Sequence, residues 1–168
     1  HSSTVDVFAS SPGVPFDESV LDERPKGTPY ERSKQAADRL VTAAAAAGLD
    51  AVILHPAALF GPGPTASPGV GRFLSDIVNR RVPMLLPGAM PLVLAQDAAR
   101  GHLLAAERAA AGSRFILSDR SLTLVELARR AVAAAGRGRV PKVLPLAVAR
   151  LVSAAGEAVA RVAGRPPL

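Results

Sequence analysis

The 168-residue sequence has no cysteine and no tryptophan, a single tyrosine and only five phenylalanines. Without cysteine there can be no disulfide and no thiolate metal site, so a reducing, cytoplasmic setting is the expectation. So few aromatics leave little on which nucleic-acid bases could stack. The formal net charge of +6 raises nucleic acid as a partner. Its distribution argues the other way: acids cluster early (Asp17, Glu18, Asp22, Glu23), and the bases are mostly single arginines spread along helix-like stretches. No nucleic-acid-binding motif accompanies them, and no nucleic acid is expected. No apolar run approaches the roughly 18 uncharged residues of a membrane span, and no signal-peptide pattern opens the chain. His1, His55 and His102 lack metal-ligand spacing, and no Gly-x-Ser-x-Gly elbow marks a hydrolase. No metal is expected.

What is present is a globular composition, 49% hydrophobic and 20% charged, at the length of one ordinary domain. Strand-like and helix-like stretches alternate, which predicts an α/β fold. His1–Thr4 reads as a strand end, followed by an irregular Pro- and acid-rich stretch to Lys26. Thr28-Pro29-Tyr30-Glu31 has the chemistry of a helix start: Thr28 caps, Pro29 fits the first helical position and Glu31 completes a capping box. Gly48 ends that helix. Ala51–His55 is a short apolar run suited to a strand buried on both faces, and a Gly/Pro loop is expected from Pro56 to Gly69. Helices are predicted over Gly71–Arg80, from an Asp97 cap to about Ala110, from the Thr123/Glu126 capping box to Gly136, and over Leu146–Val162. Met84–Leu86, Leu92–Leu94 and Arg114–Leu117 read as short strands.

Tyr30 and Lys34 lie four residues apart, one turn along the same helical face. A phenol titrates near pH 10, so proton transfer near neutrality requires a shift of about 3 units, or roughly 4 kcal/mol. An ammonium about 4–5 Å away, at an effective dielectric of about 20, supplies roughly 3–4 kcal/mol. The first turn of a helix adds a few tenths more in favour of a phenolate. Such a pair has the right magnitude for acid/base work, although Tyr-x-x-x-Lys alone is a common accident of surface helices.

The surrounding sequence decides between the two. His1-Ser2-Ser3-Thr4-Val5-Asp6-Val7-Phe8, Thr28-Pro29-Tyr30-Glu31-Arg32-Ser33-Lys34 and His55-Pro56-Ala57-Ala58-Leu59-Phe60-Gly61-Pro62-Gly63 follow one another in order. Together they resemble the strand end, active-site helix and Arg-Pro-x-x-x-Tyr-Gly-Pro-Gly loop of the extended short-chain dehydrogenase/reductase family. That family includes nucleotide-sugar epimerases, dihydroflavonol-type ketoreductases and hydroxysteroid dehydrogenases. The resemblance implies the later half of a doubly wound Rossmann-type parallel sheet over residues 1–62. It also implies a small α/β substrate-binding lobe over residues 63–168, with some segments returning to the core. It assigns the catalytic roles to Thr4, Tyr30 and Lys34. Thr4 would bond the substrate oxygen, Tyr30 exchange its proton, and Lys34 hold the nicotinamide ribose. Backbone at Pro56 would touch the nicotinamide of NAD or NADP.

Departures from the pattern qualify these roles. His55 stands where the family has Arg, and Phe60 where it has Tyr. Both are substrate-contact candidates, with a satisfied strand-end histidine the alternative for His55. Leu92–Asp97 resembles the family's Val-x-Val-x-Asp segment, with Gln96 in place of a common acid and Asp97 read as a helix cap. No Gly-x-x-Gly-x-x-Gly phosphate loop occurs; Gly61-Pro-Gly63 and Gly136-Arg-Gly138 are ordinary turns. The chain is therefore expected to be the later portion of a longer protein that begins before His1 and continues past Leu168. The expected activity is NAD(P)-dependent reduction or oxidation of a small-molecule carbonyl or alcohol, of ketoreductase or hydroxysteroid type. A nucleotide-sugar epimerase or dehydratase, or a non-catalytic interaction module, is the alternative, and a homodimer is left open.

Overall fold

A computed structural model describes residues 1–9, 14, 16–62 and 69–148. The elements run as a 3-10 turn at Val5–Val7, α1 (Pro29–Ala46), β1 (Ile53–Pro56), β2 (Ala58–Phe60), α2 (Val70–Val78), β3 (Met84–Leu85), β4 (Ala89–Leu94), α3 (Ala95–Arg108), β5 (Arg114–Leu117), β6 (Arg120–Thr123), α4 (Leu124–Ala135) and β7 (Lys142–Val143). Helix and strand alternate, and the pairings β1–β5, β2–β4 and β3–β7 are all parallel. The expected α/β class with parallel sheets is what the chain adopts. The last predicted helix, Leu146–Val162, extends beyond the described residues.

The chain divides into two compact units, one of His1–Gly63 with Pro91–Arg120, the other of Pro64–Met90 with Ser121–Leu168. In the first unit β1 is central. It pairs with β5 from Ile53↔Arg114 to Pro56↔Leu117, and on its other edge Leu54 pairs with Ser2. All four β1 residues are buried, as a strand covered on both faces should be. Val5, Ala57, Val93 and Ala98 form the apolar centre of this unit, with Ile116 and Leu117 against it. In the second unit Ile77 of α2, Leu85 of β3 and Ala128 of α4 form a separate core.

Two expectations need correction. The Gly/Pro stretch after Pro56 contains a strand, β2, which pairs in register with Leu92–Leu94 of β4. Nor does Asp97 cap α3. The helix starts at Ala95 with Leu94 in the cap position, and no side chain caps it. β4 runs directly into α3, so Asp97 falls inside the first turn, where its charge still favours the helix dipole.

Candidate active site

The site is built on α1 and on the segment that leads into it. Thr28 Oγ1 accepts from the Glu31 amide at 3.2 Å, and the Glu31 carboxylate accepts from the Thr28 amide at 2.8 Å. Pro29 is the first helical residue, so Tyr30 is fixed in the opening turn. The preceding loop is held from both sides. Lys26 Nζ donates to the Phe8 carbonyl at 2.7 Å and pairs with Asp22 at 3.1 Å. Gln35 of α1 donates to the Arg24 carbonyl at 2.9 Å. Arg24 and Lys26 hold the Asp22 carboxyl well below the usual carboxylate range.

Tyr30 is 56% exposed, and Lys34 Nζ lies 6.0 Å from the centre of its ring. Lys34 donates one hydrogen bond, at 3.1 Å, to the carbonyl of Ser2. That bond ties the helix to the strand end two residues before Thr4. Ser2 is held again from α3. His102 Nδ1 lies 2.8 Å from the Ala98 carbonyl and so carries a proton, and Nε2 stands 3.2 Å from the Ser2 hydroxyl. Thr4 is buried, and its hydroxyl is used locally: it donates to Asp6 Oδ2 at 2.9 Å while capping the 3-10 turn.

His55 is fully buried. Its Nε2 is 2.7 Å from Asp38 Oδ2, and since a carboxylate only accepts, that nitrogen carries the proton. Phe8 covers the imidazole, with ring centres 4.6 Å apart. Asp38 engages one ring nitrogen, while the buried Nδ1 has no hydrogen-bond partner among the described residues. Arg114 of β5 donates to Asp38 Oδ1 at 2.8 Å and to Thr42 Oγ1 at 2.8 Å, and Thr42 donates back to the Asp38 carbonyl at 2.8 Å. Burial pushes the Asp38 carboxyl up, but His55, Ser3 and Arg114 together outweigh it and hold it at about 2. Ser3 stands close enough to favour the carboxylate, though its Oγ makes no well-formed hydrogen bond. Pro56 is buried at the end of β1, opposite Leu117, and Phe60 is half-buried opposite Leu94.

The structure therefore joins Tyr30, Lys34 and the strand end bearing Thr4 through the Ser2 carbonyl. Asp38, Arg114 and His102 were not singled out from sequence as parts of this site. Asp38 had one legible signal: it continues the four-residue spacing of Tyr30 and Lys34. Arg114 had none.

Known proteins resemble this chain over most of its length. Residues 1–117 match the sequence model of the NAD dependent epimerase/dehydratase family. Sterol demethylase protein B of Methylococcus capsulatus is 33% identical over 60% of this chain and 31% of its own. The 2-alkyl-3-oxoalkanoate reductase of Stenotrophomonas maltophilia is 30% identical over 96% of this chain and 55% of its own. A nucleoside-diphosphate-sugar epimerase from Pseudomonas aeruginosa superposes with a TM-score of 0.82 at 26% identity, covering 93% of this chain and 52% of that one. The chain thus spans from just under a third to a little over half of these proteins. By its matched residues and its Rossmann-type α/β fold, it belongs to the NAD-dependent epimerase/dehydratase family, within the extended short-chain dehydrogenase/reductases.

Proposed function

We propose that the protein containing this chain is an NAD(P)-dependent oxidoreductase acting on a carbonyl or secondary alcohol, with Tyr30 as its proton donor and acceptor. The observation that carries this reading is the Tyr30–Lys34 pair in the opening turns of α1, with Lys34 fixed to the strand end beside Thr4. The residues fit a nicotinamide nucleotide. Lys34 has three ammonium donors, and the Ser2 carbonyl takes one, which leaves two for ribose hydroxyls. When bound, that cofactor supplies or accepts the hydride.

In the reduction direction Tyr30 gives its phenolic proton to the carbonyl oxygen as that oxygen gains charge. The Lys34 ammonium favours the phenolate left behind. Exposure of Tyr30 gives solvent a route to restore the proton. Thr4 orients the same oxygen once its hydroxyl turns from Asp6, and Pro56 lends backbone at the nicotinamide face. Positioned proton transfer of this kind is worth about 10²–10⁴ in rate. His55 is not needed to touch substrate; Phe60, half-buried at the end of β2, is retained as a contact.

The reductase among the relatives is 30% identical across nearly the whole chain, against 26% for the sugar-nucleotide epimerase, which favours a ketone such as a 3-oxoalkanoate over a sugar nucleotide. The likeness to a sugar-nucleotide epimerase keeps that chemistry as the second reading. No helix among the described residues is long and apolar enough to cross a membrane. The test is nicotinamide oxidation by the whole protein with 3-oxoalkanoate and cyclic ketone panels, beside epimerisation of UDP-glucose. Turnover of ketones supports the proposal. Epimerisation without net oxidation of cofactor overturns it in favour of the second reading.

A further inference from the structure

The Asp38 cluster has no place in the proton transfer itself, yet four separate stretches of chain converge on it. Ser3 adjoins Thr4, Asp38 follows Lys34 by one turn of α1, His55 precedes Pro56, and Arg114 opens β5. The side chains of His55, Asp38 and Arg114 are buried or nearly so, with 0%, 1% and 14% exposure. We propose that Asp38, His55 and Arg114 form a positioning cluster that sets the turn of α1 bearing Lys34 against the strand ends bearing Thr4 and Pro56.

The geometry is suited to holding one register and little else. Asp38 uses one oxygen for His55 on β1 and the other for Arg114 on β5, so its carboxylate spans two adjacent strands. Arg114 reaches Thr42 with its second arm, and Thr42 returns to the Asp38 carbonyl, closing a ring of bonds around one helical turn. Tyr30, Lys34 and Asp38 follow at four-residue steps, a rise of about 6 Å each, so they share one stripe of α1. Consecutive residues of the N-terminal segment that bridges to β1 meet that stripe: the Ser2 carbonyl receives Lys34, and Ser3 adjoins Asp38. A buried ion group is a weak stabiliser, because desolvation cancels much of the attraction, and well-packed apolar residues often do as well. Its directional bonds give what apolar packing cannot. Rotation or axial slip of α1 breaks several of them together, and the same motion would carry Lys34 away from Ser2. The positioning role rests on the catalytic reading of Tyr30 and Lys34 given above.

The experiment uses the whole protein with Asp38→Asn and Arg114→Lys, and with Asp38→Glu as the conservative rescue. Leu127→Ala, at a buried position of α4 in the other unit, serves as a destabilised control. The pH dependence of kcat, the KM for ketone and amide hydrogen exchange are measured for each. We expect Asp38→Asn and Arg114→Lys to lower kcat by about 10–100-fold. The alkaline limb of kcat should move by about one pH unit, with KM for ketone little changed. Asp38→Glu should recover most of the rate, and Leu127→Ala should lower Tm without moving the limb. Rates that fall only in step with Tm, along an unmoved limb, would overturn the proposal. A wild-type protein without nicotinamide-dependent turnover would instead sink the catalytic reading, and exchange then decides the cluster. Asp38→Asn should speed exchange at the Ser3 and Leu54 amides by about tenfold while leaving α4 unchanged. Unchanged exchange at those two amides rejects the cluster whatever the activity.

Discussion

Tyr30 and Lys34 carry separable duties in the proposed chemistry, and substitutions should separate them. Tyr30→Phe removes the proton but not the ring, so turnover in the whole protein should fall by about 10²–10⁴-fold while nucleotide affinity changes little. Lys34→Ala removes both the ammonium beside the phenol and the donors offered to ribose, so rate and nucleotide affinity should fall together. Steady-state kinetics combined with a fluorescence titration of nucleotide distinguishes the two patterns. Equal behaviour of the two variants would count against the assignment. Asp38 makes a different prediction, on stability against pH. Burial opposes its ionisation, but its partners lower the folded-state value to about 2. Because the folded value lies below the unfolded one, the contribution is fully present above about pH 4 and is lost as pH falls through about 2. It amounts to roughly 2 kcal/mol. Acid unfolding of Asp38→Asn should therefore lack the part of the wild-type loss that falls between those two values.

The helices owe their ends to local chemistry and their places to contacts made further along the chain. α1 and α4 each begin with a capping box, at Thr28/Glu31 and Thr123/Glu126, and α4 closes on Gly136 in a left-handed conformation at φ 62°. Two glycines that look alike in sequence differ sharply in their surroundings. At Gly138, φ is +104° and an added Cβ would stand 2.8 Å from the Val78 carbonyl oxygen, which is backbone and cannot yield. At Gly101, inside α3, an added Cβ would meet the Leu117 Cδ2 at 2.9 Å, the movable end of a side chain. Gly138→Ala should destabilise by about 1–3 kcal/mol. In Gly101→Ala a helix-propensity gain of up to about 1 kcal/mol offsets the displacement of Leu117 and leaves stability nearly unchanged. Chemical denaturation of both variants checks the ordering; a Gly138→Ala protein as stable as wild type would contradict it.

Across the whole chain, the residues proposed to bind the nicotinamide and those for the reacting oxygen all lie in the unit of His1–Gly63 and Pro91–Arg120. The 168-residue sequence carries no Gly-x-x-Gly-x-x-Gly motif of the kind that seats a pyrophosphate. In the proposed site Lys34 and the backbone at Pro56 would address only the nicotinamide end of such a molecule. Calorimetric titration of the 168-residue chain with NAD or NADP should accordingly show binding weaker than micromolar. Micromolar affinity would mean that a phosphate site exists among residues to which none has been assigned.

The α/β alternation, the start of α1, the capping box and glycine stop of α4, and β1 and β5 were all legible in the residues, because caps, turn glycines and apolar runs act over a few neighbours. So was the Tyr30–Lys34 pair, set by a single helical turn. β2 was not legible, because its three residues sit among prolines and glycines and become a strand only by pairing with β4, more than thirty positions on. The start of α3 at Ala95 was missed for a related reason: the acid at 97 suits a cap, but β4 feeds the helix three residues earlier, with Leu94 in the cap position. The Asp38–Arg114 pair is separated by 76 residues, and no local pattern announces it. A pairing of that kind exists only after the sheet has laid β5 beside β1 and α1 against both. Local chemistry chose the elements and the Tyr30–Lys34 spacing, and tertiary packing decided which charges meet beside that helix.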